Sequence, residues 1–141
     1  MSYYLSKSNP SIFKIEACLE DWLASRSTEG YWSICKDAKP GDILFIGASG
    51  KAAGIYAKAV VESPATFKPG EPDFWVSAER AGKPMWRADI RILKNLVGKQ
   101  KTDRYLETIP NLMRVARWLH IQGQSCHLTQ LEGRELDALI P

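Results

Sequence analysis

Pro40-Gly41-Asp42, followed by the unbroken apolar run Ile43-Leu44-Phe45-Ile46, most restricts what this chain can fold into. A turn that launches a short continuous apolar run predicts a buried strand. Ser49-Gly50-Lys51 then reads as a hairpin tip, and Gly54–Glu62 as the returning strand. A buried hairpin needs further strands beside it and helices over it, so a sheet is the first requirement.

The remaining elements follow from spacing. Ser2–Lys7, with Tyr3-Tyr4-Leu5, reads as a first strand. Asn9-Pro10 predicts a helix start, since Asn suits an N-cap and Pro the first helical position. Ile12, Ile15, Leu19, Trp22, Leu23 and Arg26 keep helical spacing, so a helix to about Arg26 is expected, broken by Ser27–Gly30. Ser63–Pro84, rich in Pro and Gly, reads as a long loop or lid, and Met85–Leu93 as another strand. A second helix is predicted over Pro110–Leu119, with Leu112, Val115, Ala116 and Leu119 on one face, and a last strand over Ile121–Leu128. Thr129-Gln130-Leu131-Glu132 is a capping box for a final helix ending near Ile140. Strands interrupted by peripheral helices make an α+β fold, a partly closed mixed barrel of about five or six strands, in one domain over residues 1–141.

The charge is uneven. The net value is only +3, and residues 1–85 balance. Residues 86–118 hold Arg87, Arg91, Lys94, Lys99, Lys101, Arg104, Arg114 and Arg117 against Asp89, Asp103 and Glu107. Residues 119–141 lean acidic. A basic middle third fits a phosphate-facing side, although scattered lysines on a solvated face give the same composition. No apolar run approaches the ~20 residues that cross a bilayer, and residues 1–15 lack a signal-peptide pattern. The three cysteines, Cys18, Cys35 and Cys126, are too few and scattered for a disulfide framework. With His120 and His127 they make no metal-ligand spacing. A cytoplasmic protein without metal or cofactor is expected.

Two short motifs carry the chemistry. Lys7-Ser8-Asn9-Pro10 offers an amide that donates and accepts at once, which matches the mixed edge of a base. Glu29-Gly30-Tyr31-Trp32-Ser33 places an aromatic after the first helix. The first motif resembles the KSEP turn of EVE domains and the KSN turn of YTH domains; Gly30-Tyr31-Trp32-Ser33 resembles the GVWS segment of YTH domains. Both families are PUA-like and bind modified bases. The resemblance implies that Trp32 is one wall of an aromatic cage, with Ser33 beside it, and that Asn9 reads the base edge. N-capping by itself also explains an Asn before Pro10.

YTH domains take a second aromatic from the strand matching Met85–Ile92, and their tryptophan would align near Ile90, which is not aromatic. Trp86 on the same strand, or Trp75 in the long loop, would supply the missing wall. Trp75 is favoured, because a tryptophan in a Pro/Gly-rich lid wants a reason, whereas Trp86 reads as core. Lys7, Ser8, Arg87, Arg91, Lys94 and Lys99 are candidate contacts to the nucleic-acid backbone. Leu119–Leu128 resembles the stretch before the final helix of EVE domains and adds Gln122, Gln124 and Ser125. Trp22 and Trp118 read as structural.

The function so implied is a non-catalytic reader of a methylated base, such as 5-methylcytosine or N6-methyladenine, flipped into the cage. DNA is favoured over RNA as the partner. The EVE-like features suggest the targeting part of a modification-dependent restriction system, with a fused or associated nuclease or NTPase effector. A YTH-like reader of N6-methyladenine in RNA is the second reading. A small hydrolase or a protein-interaction domain on the same fold is the third, and the sequence offers no nucleophile–base pair for the hydrolase.

Overall fold

The computed structural model describes residues 1–71, 73–121 and 126–141. Among these, seven strands form one mixed sheet. Five make the main path: β1 (Tyr3–Ser8), β2 (Glu29–Ser33), β3 (Ile43–Ala48), β4 (Gly54–Val61) and β6 (Met85–Asn95). Their order across the sheet is β1-β3-β4-β6-β2. Two short strands lie off that path: β5 (Thr66–Lys68) pairs with β6, and β7 (Lys101–Thr102) with β4. β1 runs parallel to β3, from Tyr3↔Ile43 to Ser8↔Ala48, and the other pairs are antiparallel. The helices are α1 (Ile15–Ala24), α2 (Ala78–Ala81), α3 (Asp103–Glu107), α4 (Met113–Trp118, led by a 3₁₀ turn over Pro110–Leu112) and α5 (Gln130–Leu139).

β3 lacks alternation because both of its faces are covered. Leu44, Ile46 and Ala48 join a core with Tyr4, Leu19, Trp32 and Ile90. Ile43 and Phe45 join a second core, with Leu106, Leu112, Val115 and Leu136 from α3 to α5. The second core approaches β1 closely. A Cβ on Gly133 of α5 would overlap the Tyr3 ring, so only glycine fits there. Lys58 of β4 sits under the same helix with its ammonium 2.6 Å from Asp137 Oδ1, donating to the Ile140 carbonyl at 2.9 Å.

The barrel, its hairpin and the capping box match the expectations. Thr129 Oγ1 accepts from Glu132 N at 3.1 Å, and Glu132 Oε1 accepts from Thr129 N at 2.9 Å. Other expectations need correction. α1 starts at Ile15, not at Pro10, and Asn9 does not cap it. The reason is tertiary: Lys14 N donates to Phe74 O at 2.6 Å and Val76 N to Ile12 O at 2.9 Å, so residues 12–14 pair with the lid instead of coiling. Residues 63–84 contain β5 and α2 and are not all loop. In the expected last strand, the described part holds one bridge, Tyr4↔His127, with Leu5 N donating to Cys126 O at 2.8 Å. α3 and β7 were not anticipated.

Cys35 and Cys126 form a disulfide across 91 residues, with Cα atoms 6.1 Å apart. Their distance in sequence conceals a proximity that the sheet creates. Among the described residues no helix is long and apolar enough to cross a membrane, and no group of three or more His, Cys, Asp or Glu could hold a metal ion.

Candidate nucleic-acid interface

β1 and β2 are the two ends of the sheet, and side chains close the seam between them. Ser6 Oγ and Ser33 Oγ are 3.1 Å apart, and the Cys35–Cys126 disulfide lies beside them. Past these ties the seam opens into a cleft of about 1240 Å³. Lys7, Ser8 and Asn9 line it from β1 and the turn after it, Gly30–Ser33 from β2, and Phe74 and Trp75 from the segment before α2.

Four aromatic rings meet here. Trp32 is 6% exposed. Trp22 stands edge-on to it, with centroids 6.0 Å apart and planes at 88°. Phe13 is also edge-on to Trp32, at 5.5 Å and 89°, and Trp75 meets Phe13 at 5.1 Å and 65°. Perpendicular rings within 4.5–7 Å attract through their quadrupoles. The backbone sets this arrangement. Phe13 and Trp75 form a β-bridge, and Phe74 has a φ of 66°, a left-handed conformation that turns the chain just before Trp75. Gly30 makes room for Trp22, because a Cβ there would lie 2.5 Å from its Cη2.

Asn9 builds a turn with its oxygen. Oδ1 accepts from Ser11 N at 3.0 Å and from Ser11 Oγ at 2.7 Å. Its Nδ2 has no partner among the described residues, so the donors of this exposed amide face solvent at the cleft mouth.

The cations divide into those already engaged and those that are open. The Lys7 ammonium donates to Trp118 O at 2.5 Å and to Ile121 O, at the C-terminal end of α4, where carbonyls favour positive charge. Burial pulls its pKa down. Arg87 is 3% exposed, and its Nη1 donates to Lys68 O at 2.5 Å. Burial lowers its pKa too. Arg80 and Lys83 are exposed on the cleft lining, as are the carboxylates of Asp21, Glu71 and Asp73. His120 Nε2 lies 2.6 Å from Asp103 Oδ2 at the rim.

The cleft therefore gathers Lys7, Ser8, Asn9, Trp32, Ser33, Trp75 and Arg87 from the expected set. Others lie elsewhere. Trp86 is exposed and packs on Phe67 at 5.5 Å, neither in the core nor in the cluster. Ile90 is buried in the core opposite Gly30. Arg91 Nε donates to Glu62 at 2.8 Å, and Lys94 lies opposite Lys58 on β6. Lys99 follows the Gly98 turn. Gln122, Gln124 and Ser125 lie outside the described residues. Phe13, Trp22, Arg80 and Lys83 also line the cleft, although the sequence singles out none of them as a site residue, and Phe13 and Trp22 pack against the core as well. The helical spacing of Trp22 marked it as structural, and nothing local distinguishes Phe13.

No protein-family profile matches the chain, and no curated protein does. Solved structures do. Human THYN1 in complex with 5-methylcytosine containing DNA is 18% identical, covering 99% of this chain and 97% of that one, with a TM-score of 0.63. A Pseudomonas putida protein is also 18% identical, over 98% and 99%, with a TM-score of 0.64. The Mmi1 YTH domain in complex with RNA is 14% identical, over 99% and 77%, with a TM-score of 0.57. The chain shares the fold of these structures, the Mmi1 YTH domain among them.

Proposed function

We propose that this protein reads a methylated base in nucleic acid, held flipped out in the cleft between β1 and β2. The observation that carries the reading is the set of rings Trp22, Trp32, Phe13 and Trp75 around a cleft that Asn9 overlooks. Trp32 and Trp75 act as walls, Ser33 lies at the base of the seam, and the Asn9 amide meets the base edge. Lys7 and Ser8 hold the turn that carries Asn9.

The energetics suit a reader of modest selectivity. A methyl group adds about 0.8 kcal/mol by transfer from water, and stacking adds about 1–3 kcal/mol per base. Stacking rewards any base, so the methyl transfer alone gives a discrimination of about fourfold. Flipping from a duplex costs a few kcal/mol, which phosphate contacts must offset. Arg80 and Lys83 on the rim are the open cations nearest that task, while Arg87 supports the lid from beneath.

DNA is the favoured partner, because the match to the DNA-bound neighbour spans 97% of that neighbour's chain against 77% for the RNA-bound one, at a TM-score of 0.63 against 0.57. A reader of N6-methyladenine in RNA is the second reading, supported by Trp32-Ser33 and Asn9. The protein would act as the targeting part of a modification-dependent restriction system, recruiting a nuclease or NTPase effector. Titration of labelled oligonucleotides, methylated and plain, as DNA and as RNA, tests the reading. Tighter binding of a methylated DNA strand supports it. Equal affinity for modified and plain strands of both kinds overturns it.

A further inference from the structure

We infer that Phe67 and Trp86 form a second, open stacking platform for the nucleobase next to the one held in the cleft; this rests on the reading proposed above. The two side chains face each other where β5 pairs with β6. Their centroids are 5.5 Å apart with planes inclined by 40°. Phe67 is 61% exposed, Trp86 40% and the adjacent Met85 40%. Large apolar side chains grouped at the surface mark a place that a partner covers.

Position and charge identify a base as the occupant. Lys7, Ser33, Pro84 and Met85 line both the cleft and the groove of about 550 Å³ that holds Phe67 and Trp86, so the two are continuous. Lys36 in the groove and Lys83 on the adjoining rim are exposed cations. The groove's carboxylate, Asp37, lies 3.2 Å from His127 Nε2. Exposed aromatics between cations suit a polyanion that carries flat bases. Flipping one base out uncovers a face of its neighbour, and the platform restores a stacking partner to that face.

The test uses single-stranded oligonucleotides carrying one methylated base, with 2-aminopurine placed in turn at the positions either side. Wild-type protein is expected to quench the probe at one adjacent position, and Trp86→Ala to leave it bright. Affinity for methylated and plain strands alike is expected to fall about five- to a hundredfold in Trp86→Ala, with an unchanged salt slope. Trp86→Phe restores most of it. Trp86 is exposed, so a thermal melt of Trp86→Ala is expected to match wild type. Wild-type affinity and quenching in Trp86→Ala overturn the platform and leave the reading of the cleft standing. A change of oligomeric state in Trp86→Ala, without loss of binding, assigns the patch to a second copy of the chain and overturns it too. Failure of the wild-type protein to bind any of the strands overturns the reading itself.

Discussion

The main chains of Phe13 and Trp75 pair as an antiparallel bridge, and their rings meet at 5.1 Å. The entry to α1 and the segment before α2 are therefore tied by both backbone and side chain.

Trp75→Ala is expected to weaken binding of every oligonucleotide about five- to a hundredfold, by removing one stacking surface. Trp75 is half-buried, so the stability cost stays below the about 3–5 kcal/mol of a fully buried tryptophan. Trp32→Ala should incur that full cost and lose binding as well. Thermal melts alongside fluorescence anisotropy separate the two. Wild-type binding by Trp75→Ala removes the lid tryptophan from the cage.

Asn9→Asp keeps the oxygen that accepts from Ser11 and loses the amide donors. Its melting temperature is expected to stay close to that of wild type while affinity falls. Asn9→Ala should lose both the turn and the contact. An aspartate variant that binds as wild type does would leave Asn9 with only a turn to hold.

Charge reversal at Arg80 or Lys83 should flatten the log–log salt dependence of binding by roughly 0.7–0.9 per lost phosphate contact. Preference for the methyl group should not change. Reversal at Arg91, Lys94 or Lys99 is expected to be silent, since these three lie along β6 and beyond it, outside the cleft lining. The opposite pattern would put the backbone path along β6.

Burial pushes the Glu132 carboxyl up, but hydrogen bonds from Arg114 and Thr129 outweigh this and hold it below the ordinary carboxylate range. A depressed carboxylate stabilises the fold above its unfolded value of about 4.3, and that contribution fades as pH falls through the folded value. Glu132→Gln should therefore destabilise by about 1–3 kcal/mol at neutral pH. The gap to wild type should close in acid. A gap that persists at pH 2 would mean that packing, not charge, is what Glu132 supplies.

Reduction of Cys35–Cys126 is expected to cost about 2–4 kcal/mol, because the bond closes a long loop in the unfolded chain. Burial pushes the Cys18 thiol up to about 12, so Cys18 should resist alkylation in the folded protein. Mass spectrometry after alkylation without reductant should find no modified cysteine. Two rapidly labelled thiols would show that the pair is open.

The parts of the fold that rest on local chemistry were legible. Pro40-Gly41-Asp42 and the apolar run after it dictated the hairpin, and the Thr129 box dictated α5. The start of α1 was not, because pairing with Phe74 and Val76 overrides the capping chemistry of Asn9-Pro10. Trp32, Asn9 and Trp75, far apart in sequence, line one cleft. Trp86 did not join them: it lies beside Phe67, a neighbour that β5 supplies and that a Pro/Gly-rich loop did not suggest. The apparent basic third dispersed, since Arg91 and Arg114 are taken up by Glu62 and Glu132. Linear charge says nothing of which side chains a fold pairs.

The seam between β1 and β2 has a mechanical consequence. Its ties, the Ser6–Ser33 hydroxyls and the disulfide, sit at one end, and Asn9 and Gly30 diverge at the other. A hydroxyl pair contributes about 0.5–1.5 kcal/mol, far less than a ladder of main-chain bonds along the same length would. At this seam the sheet is therefore closed by side chains, one of the two ties being covalent. Reducing the disulfide would leave that closure to a single hydroxyl contact, while the main-chain ladder from β1 to β2 through β3, β4 and β6 stays intact.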